Sequence, residues 1–119
     1  MNKKQNILVT GGAGYIGAHI VELLVKTKAN IIIIDNLVTG RKKLLNKKAK
    51  FIKEDIKNKT SLIKIINDYE INSIIHLAGS LNVSEAEKNK KKYYKNNVEG
   101  TLNLVNACKN STVKNIIFS

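Results

Sequence analysis

The 119-residue sequence contains no proline, no tryptophan, one cysteine and one arginine. The single cysteine, Cys108, has no partner for an internal disulfide. No group of cysteine and histidine residues has the spacing typical of metal ligands. We therefore expect neither a disulfide framework nor a metal centre.

Long hydrophobic runs are also missing. No apolar stretch approaches the roughly 18 residues that a membrane-spanning helix needs, and no charged leader precedes an apolar segment. The expectation is a protein with no membrane partner and a cytoplasmic location. The length suits a single domain or part of one, long enough to bury a core.

Acidic residues are scarce, because 21 lysines and arginines face 9 aspartates and glutamates, for a net charge of +12. Such an excess can indicate nucleic-acid binding. However, Arg41 is the only arginine, and the lysines are scattered among many asparagines and isoleucines. Proteins that recognise phosphates and bases specifically rely on arginine and interleaved aromatics. We therefore expect no nucleic-acid partner, and we interpret the lysine-rich run 88–92 as a solvated loop or helix start.

Four glycines follow an apolar run near the start of the chain, where residues 7–17 read Ile-Leu-Val-Thr-Gly-Gly-Ala-Gly-Tyr-Ile-Gly. This spacing matches the dinucleotide-binding fingerprint. Gly11 and Gly12 allow a sharp turn out of a strand, Gly14 lets a pyrophosphate approach, and Gly17 lets a helix lie close to the sheet. Free N–H groups at the start of that helix would bind an anion without any basic side chain.

The residues that follow complete a strand, helix, strand unit. Ile16, Ile20, Leu23 and Leu24 recur at helical spacing, which predicts an apolar stripe packed on a sheet. The isoleucine run 31–34 is typical of a buried parallel strand, and Asp35 follows it. A carboxylate at this offset from the glycines accepts hydrogen bonds from the adenosine ribose and repels a 2′-phosphate. The pattern therefore favours NAD over NADP.

Strands and helices alternate along the whole chain. The pattern predicts strands near 6–10, 30–35, 50–53, 73–78 and 113–118, and helices near 15–27, 60–69 and 92–109. The segment 38–48 is a loop or a short helix. The predicted fold class is α/β, a Rossmann-type doubly wound parallel sheet with strand order 3-2-1-4-5, in which ligands bind at the carboxyl ends of the strands.

Several candidate cofactor contacts lie at those strand ends. Asp55 could accept from an adenine amino group, with Ile56 over the ring, or it could be a helix cap or turn acid. Ala78 and Gly79 are small enough for the backbone to approach the pyrophosphate and the nicotinamide ribose.

Polar residues inside predicted elements need a separate interpretation. Asn96 and Asn97 lie in a predicted helix that asparagine does not favour, so their amides are expected to face a ligand or a backbone carbonyl. His19 and His76 lack a visible carboxylate or nucleophile partner and are interpreted as structural.

Taken together, these motifs resemble the extended short-chain dehydrogenases, and within them the UDP-glucose 4-epimerase branch. The motifs that carry the resemblance are 9–17 (Val-Thr-Gly-Gly-Ala-Gly-Tyr-Ile-Gly), 35–37 (Asp-Asn-Leu), 55–56 (Asp-Ile), 76–79 (His-Leu-Ala-Gly) and 93–104 (Tyr-Tyr-Lys-Asn-Asn-Val-Glu-Gly-Thr-Leu-Asn-Leu). In that family a bound NAD takes a hydride from C4 of a UDP-sugar and returns it to the opposite face, which interconverts UDP-glucose and UDP-galactose.

The resemblance also implies roles for individual residues. The backbone amides of Tyr15 and Ile16 would contact the pyrophosphate. Residues 35–40, including Asp35 and Asn36, would surround the adenosine ribose. Asp55 and Ile56 would line the adenine, and the pocket would be completed by Leu77, Ala78, Gly79 and Asn96.

The chain departs from the family pattern at two points. Leu81 stands where these epimerases usually have a lysine. The general base of the family is a tyrosine four residues before a lysine, and no Tyr-x-x-x-Lys occurs in this sequence. The sequence also reaches Ser119 before the catalytic serine or threonine that the family has after this strand.

The resemblance therefore implies that residues 1–119 form an incomplete NAD-binding domain that is inactive alone. A UDP-sugar would be the substrate of the full-length form, and the segment 92–109 is a candidate homodimer surface. Two alternatives stay open: another NAD-dependent sugar-nucleotide epimerase or dehydratase, and a stand-alone NAD-binding module without catalysis.

Overall fold

The computed structural model describes residues 4–78, 90–91 and 95–118. Its strands form one parallel sheet in the order β3-β2-β1-β4-β5, which confirms the predicted order 3-2-1-4-5. The strands are β1 (Asn6–Thr10), β2 (Asn30–Asp35), β3 (Lys50–Lys53), β4 (Ser73–His76) and β5 (Asn115–Phe118).

Helices cover both faces of the sheet. They are α1 (Tyr15–Leu24), α2 (Lys59–Asp68) and α3 (Gly100–Ala107), with a 3-10 turn at Lys42–Leu44 and a π-helical turn at Lys95–Glu99. One core cluster joins the sheet to α2 and α3 and includes Leu8, Ile32, Ile34, Leu62, Ile66 and Leu104. The other joins it to α1 and contains Val9, Val21, Ile31 and Ile33. Because alternate residues of β2 face opposite clusters, its central residues 31–34 are all apolar. The predicted Rossmann-type doubly wound fold is confirmed.

The apolar stripe predicted for α1 was wrong at two of its four residues, Ile16 and Leu23. Ile16 and Leu23 are more than half exposed, whereas Gly17 and Val21 are buried and Leu24 packs on the core. The helix is rotated because Gly17 lies against the backbone of the glycine loop, and this close approach fixes which face meets the sheet.

Several predicted boundaries also differ, and β5 begins at Asn115 rather than near 113. Helix α1 ends at Leu24 rather than 27, because the Thr27 hydroxyl donates to the Leu24 carbonyl at 2.6 Å and its backbone N–H donates there too. The strand predicted over 73–78 ends at His76, since β1 turns away at Gly11. The helix predicted over 92–109 is a π-helical turn followed by α3, and residues 92–94 lie outside the described ranges. No helix among the described residues is long and apolar enough to cross a membrane.

Candidate dinucleotide site

The glycine loop connects β1 to α1 at the carboxyl edge of the sheet. Gly11 has a φ of 76°, and its N–H donates to the Ile34 carbonyl of β2 at 2.8 Å. A Cβ at Gly11 would lie 2.8 Å from the backbone nitrogen of Ala78. A Cβ at Gly12 would lie 2.6 Å from Cγ2 of Ile33, and one at Gly17 would overlap the Gly11 carbonyl oxygen. The loop is therefore packed too tightly for side chains at these positions.

The amino terminus of α1 faces outward from this loop. Gly14 is the N-cap, no side chain caps the helix, and its first turn contains no acidic residue. A Cβ at Gly14 would meet only the Gly11 oxygen, at 3.3 Å. The next two side chains are exposed, Tyr15 at 74% and Ile16 at 54%. An uncapped helix terminus beside a residue without a side chain fits a phosphate group.

Asp35 ends β2 beside the loop and is 8% exposed. Its Oδ2 accepts from the backbone N–H of Ala13 at 3.1 Å, and its Oδ1 accepts from that of Leu37 at 2.7 Å. The second bond holds Leu37 in the left-handed region, at a φ of 63°. A Cβ at Gly40 would lie 2.7 Å from the Asp35 carboxylate. Since each carboxylate oxygen has two lone pairs, the side chain retains acceptor capacity for a ribose hydroxyl.

Asp55 follows β3, and its carboxylate is hydrogen-bonded on both oxygens. Oδ1 accepts from the Lys57 N–H at 2.9 Å, and Oδ2 accepts from the Asn36 side-chain amide at 3.2 Å. Asp55 therefore makes the hydrogen bonds of a turn acid, the N-cap of α2 is Asn58, and the contact of Asp55 with adenine stays a prediction. The half-buried side chain of Ile56 packs against Gly100 at the start of α3. The hydrogen bond between Asn36 and Asp55 therefore joins the ends of β2 and β3, where the sequence predicts contacts with the adenosine.

The turn after β4 reaches the glycine loop. The backbone N–H groups of Leu77 and Ala78 donate to the Thr10 hydroxyl oxygen, at 3.0 and 3.1 Å. Thr10 is fully buried. Gly79 and Leu81 lie outside the described residues, so the site is described on this side only as far as Ala78.

The asparagine pair precedes α3 in the π-helical turn. The carbonyl of Asn97 accepts from the Thr101 hydroxyl at 2.6 Å. The backbone of Asn96 lies in the same turn, at the carboxyl edge where β1 and β4 end, and its role as a cofactor contact stays a prediction.

Two features of the site were not identified from the sequence. The Thr10 hydroxyl organises the turn after β4, and His76 bonds to it. Both are polar residues that follow apolar residues at the carboxyl ends of their strands and are partners in the parallel register. That pairing was the available signal, because a buried polar residue at a strand end needs a hydrogen-bond partner.

Comparison with known proteins identifies relatives of the chain. Residues 7–119 match the model of the NAD dependent epimerase/dehydratase family. The chain is 41% identical over 120 residues to a UDP-glucose 4-epimerase of Klebsiella pneumoniae, covering 95% of this chain and 86% of that protein. It is 42% identical over 113 residues to that of Lactobacillus helveticus, covering 95% of this chain but 34% of that protein.

Solved structures give the same result. The UDP-glucose 4-epimerase of Thermotoga maritima, solved with UDP-glucose, superimposes with a TM-score of 0.92 at 33% identity, over 96% of this chain and 37% of that one. The Brucella ovis enzyme, solved in complex with NAD, gives 0.90 at 37% identity, over 96% and 35%. The chain thus spans about a third of the length of these two solved enzymes.

Proposed function

The chain belongs to the NAD dependent epimerase/dehydratase family, and we propose that it forms the NAD-binding part of a nucleotide-sugar epimerase that interconverts UDP-glucose and UDP-galactose. In this proposal residues 1–119 are an incomplete dinucleotide-binding domain. A UDP-sugar would bind in the full-length form, and the similarity to the Thermotoga maritima enzyme, which was solved with UDP-glucose, supports this choice of substrate.

The observation that carries the proposal is the uncapped amino terminus of α1 beside Asp35. The N–H groups of Tyr15 and Ile16 would hold the pyrophosphate beside Gly14, and Gly11, Gly12 and Gly17 would shape the loop that presents them. Asp35 and Asn36 would hold the adenosine ribose, Asp55 and Ile56 the adenine, and residues 77–79 with Asn96 the remaining edge. When bound, NAD would accept and return the hydride at C4 of the sugar. The chain's own residues bind and orient it.

Cofactor choice tests the proposal directly. Titration calorimetry is expected to show NAD binding and weaker NADP binding, because the Asp35 carboxylate repels a 2′-phosphate. Asp35→Asn keeps the side-chain size and removes the charge, at the loss of one of the bonds from Ala13 and Leu37. It should lower the ratio of NAD affinity to NADP affinity. Asp68→Asn, an exposed change on α2, is the matched control and should leave the preference as it is. Equal affinity of the unaltered chain for both dinucleotides would contradict this assignment.

Catalysis by the chain alone is not part of the proposal. The four tyrosines are followed at the fourth position by His19, Ser73, Asn97 and Val98, so no lysine stands where the family's general base needs one. Incubation of the chain with NAD and UDP-glucose should therefore yield no UDP-galactose. Formation of UDP-galactose would show that another group serves as the base.

We also propose that copies of the chain pair through α3 and the turn that precedes it. Three exposed side chains there are apolar, with Leu102 56% exposed and Val98 and Val105 each 38% exposed. An apolar helix face of this kind is stabilised when a second copy covers it.

A further inference from the structure

A chain of hydrogen bonds runs from the glycine loop to the π-helical turn through the buried ring of His76. Nδ1 of His76 lies 2.6 Å from the Thr10 hydroxyl oxygen, and Nε2 lies 3.1 Å from that of Thr101. The Thr101 hydroxyl lies 2.6 Å from the Asn97 carbonyl. His76 is 6% exposed, and the ring of Phe118 in β5 packs edge to face against its imidazole, with 5.8 Å between the two ring centres.

The direction of every hydrogen bond in this chain follows from counting protons. A hydroxyl has one proton and two lone pairs. The Asn97 carbonyl can only accept, so the Thr101 proton goes to it and the Thr101 oxygen must accept from Nε2 of His76. The neutral ring therefore carries its proton on Nε2, and its Nδ1 accepts the Thr10 proton. This direction suits Thr10, whose hydroxyl oxygen accepts the Ala78 N–H and shares the Leu77 N–H with the Thr10 carbonyl.

We propose that His76, fixed as the Nε2–H tautomer between Thr10 and Thr101, is a positioning residue for the dinucleotide site. The inference rests on the proposed NAD-binding function. His76 holds three segments in register: the end of β1 with its glycine loop, the turn after β4, and the π-helical turn that contains Asn96. It acts through these segments and does not itself touch the dinucleotide.

The geometry explains why a histidine suits this position. The ring presents an acceptor on one side and a donor on the other, across the gap between two strands and a helix. An apolar residue here would leave the Thr10 proton without an acceptor in the core, which is costly. Thr101 would keep its bond to the Asn97 carbonyl but lose the ring as a donor. The Thr10 hydroxyl, to which the Ala78 N–H donates beside Gly11, would lose the bond that orients it.

The test measures NAD affinity of the full chain by titration calorimetry in variants of each link. His76→Asn places a side-chain oxygen near the Nδ1 position but does not reach Thr101. Thr10→Val and Thr101→Val remove one hydroxyl each at nearly constant volume. Each variant should raise the dissociation constant of NAD roughly five- to tenfold, the equivalent of one buried hydrogen bond. Thr10→Ser and Thr101→Ser keep the hydroxyls and should restore most of the affinity.

Thr112→Val is the matched control. The Thr112 hydroxyl donates to the Ile71 carbonyl at 2.6 Å, near the amino-terminal edge of the sheet, so its loss costs a comparable bond far from the glycine loop. It should lower stability and leave NAD affinity within about twofold of the unaltered chain.

The outcomes separate the two proposals. If the unaltered chain binds no NAD, the proposed function fails and the positioning role fails with it. If the chain binds NAD but Thr101→Val binds equally well, only the positioning role is overturned. An equal loss of affinity in Thr112→Val would also overturn it, because the effect would then follow general stability. Thr101→Val decides the question even if His76→Asn does not fold.

Discussion

At the scale of single residues, substitutions at two glycines of the loop should affect stability and NAD binding differently. A Cβ at Gly17 would overlap the Gly11 carbonyl, whereas a Cβ at Gly14 would meet the same oxygen at 3.3 Å. Gly17→Ala should therefore lower the free energy of unfolding by about 2 kcal/mol or more. Gly14→Ala should cost less than about 1 kcal/mol and still weaken NAD binding, because the added methyl would face the pyrophosphate in the proposed site.

Chemical denaturation and NAD titration of the two variants check this expectation. The contrast between them is the informative result, since each serves as the control for the other. Equal stability of the two variants would mean that α1 does not need its close approach to the loop.

His76 makes stability depend on pH. Burial lowers the pKa of His76 from its ordinary value of 6.5, so the unfolded chain binds a proton more readily than the folded one. The residue's contribution is complete above pH 6.5 and is lost as the pH falls below that value, by at most about 1.4 kcal/mol per pH unit. In the described part of the chain, the side chains that contact the ring are those of Thr10, Thr101 and Phe118, and all three are uncharged.

Denaturation midpoints between about pH 7.5 and about pH 5 test this dependence. The unaltered chain should lose stability as the pH falls, and His76→Asn should lose less over the same range. Parallel curves for the two proteins would contradict the role of burial. His19→Asn is the control for the second histidine.

The glycine loop and Asp35 could be predicted from the sequence because their spacing alone carries the signal. The bonds that Asp35 makes to Ala13 and Leu37 could not, since they depend on how the loop after β2 folds back. The partner of His76 was missed for a similar reason. Thr10 is 66 residues away, and only the strand register brings the two together.

At the scale of elements, the cap of α2 gives a test independent of any ligand. The Asn58 side chain accepts from the Ser61 backbone N–H at 3.2 Å. Asn58→Ala should lower the free energy of unfolding by about 1 kcal/mol, and Asn58→Asp should retain most of it. Thermal unfolding of both variants measures the difference. An alanine variant as stable as the unaltered chain would mean that α2 is held by packing alone.

Helix faces were harder to predict than helix positions. Ile16 and Leu23 are as apolar as the residues that α1 buries, so periodicity alone did not identify the inward face. Packing of Gly17 on the loop decided it. The π-helical turn at Lys95–Glu99 likewise leaves no periodic signal, because one extra residue in a turn shifts the register without changing composition.

At the scale of the whole molecule, the sheet order followed from the alternation of strands and helices and from the handedness of their connections. Those rules leave few topologies for five parallel strands. They do not indicate which apolar surfaces remain exposed, because exposure depends on every neighbour at once.

Pairing through α3 is expected to appear as self-association. Leu102→Lys places a charge on the exposed apolar face and should lower the average mass in sedimentation equilibrium. Val38→Lys is the control, since Val38 is 79% exposed on the loop after β2 and is not part of α3 or of the turn before it. If Val38→Lys has the same effect as Leu102→Lys, or neither has any, the α3 face is not the contact between copies.

The central claim is that a dinucleotide lies on the glycine loop at the carboxyl edge of the sheet. The most direct measurement is a titration of the ¹⁵N-labelled chain with NAD, followed by amide chemical shifts. We expect the largest shifts at residues 11–17, with further shifts at Asp35, Asn36 and Leu77. The groove at the opposite edge, lined by Asn6, Asn30 and Glu70, should not respond. Shifts confined to that groove, or none at millimolar NAD, would contradict the claim.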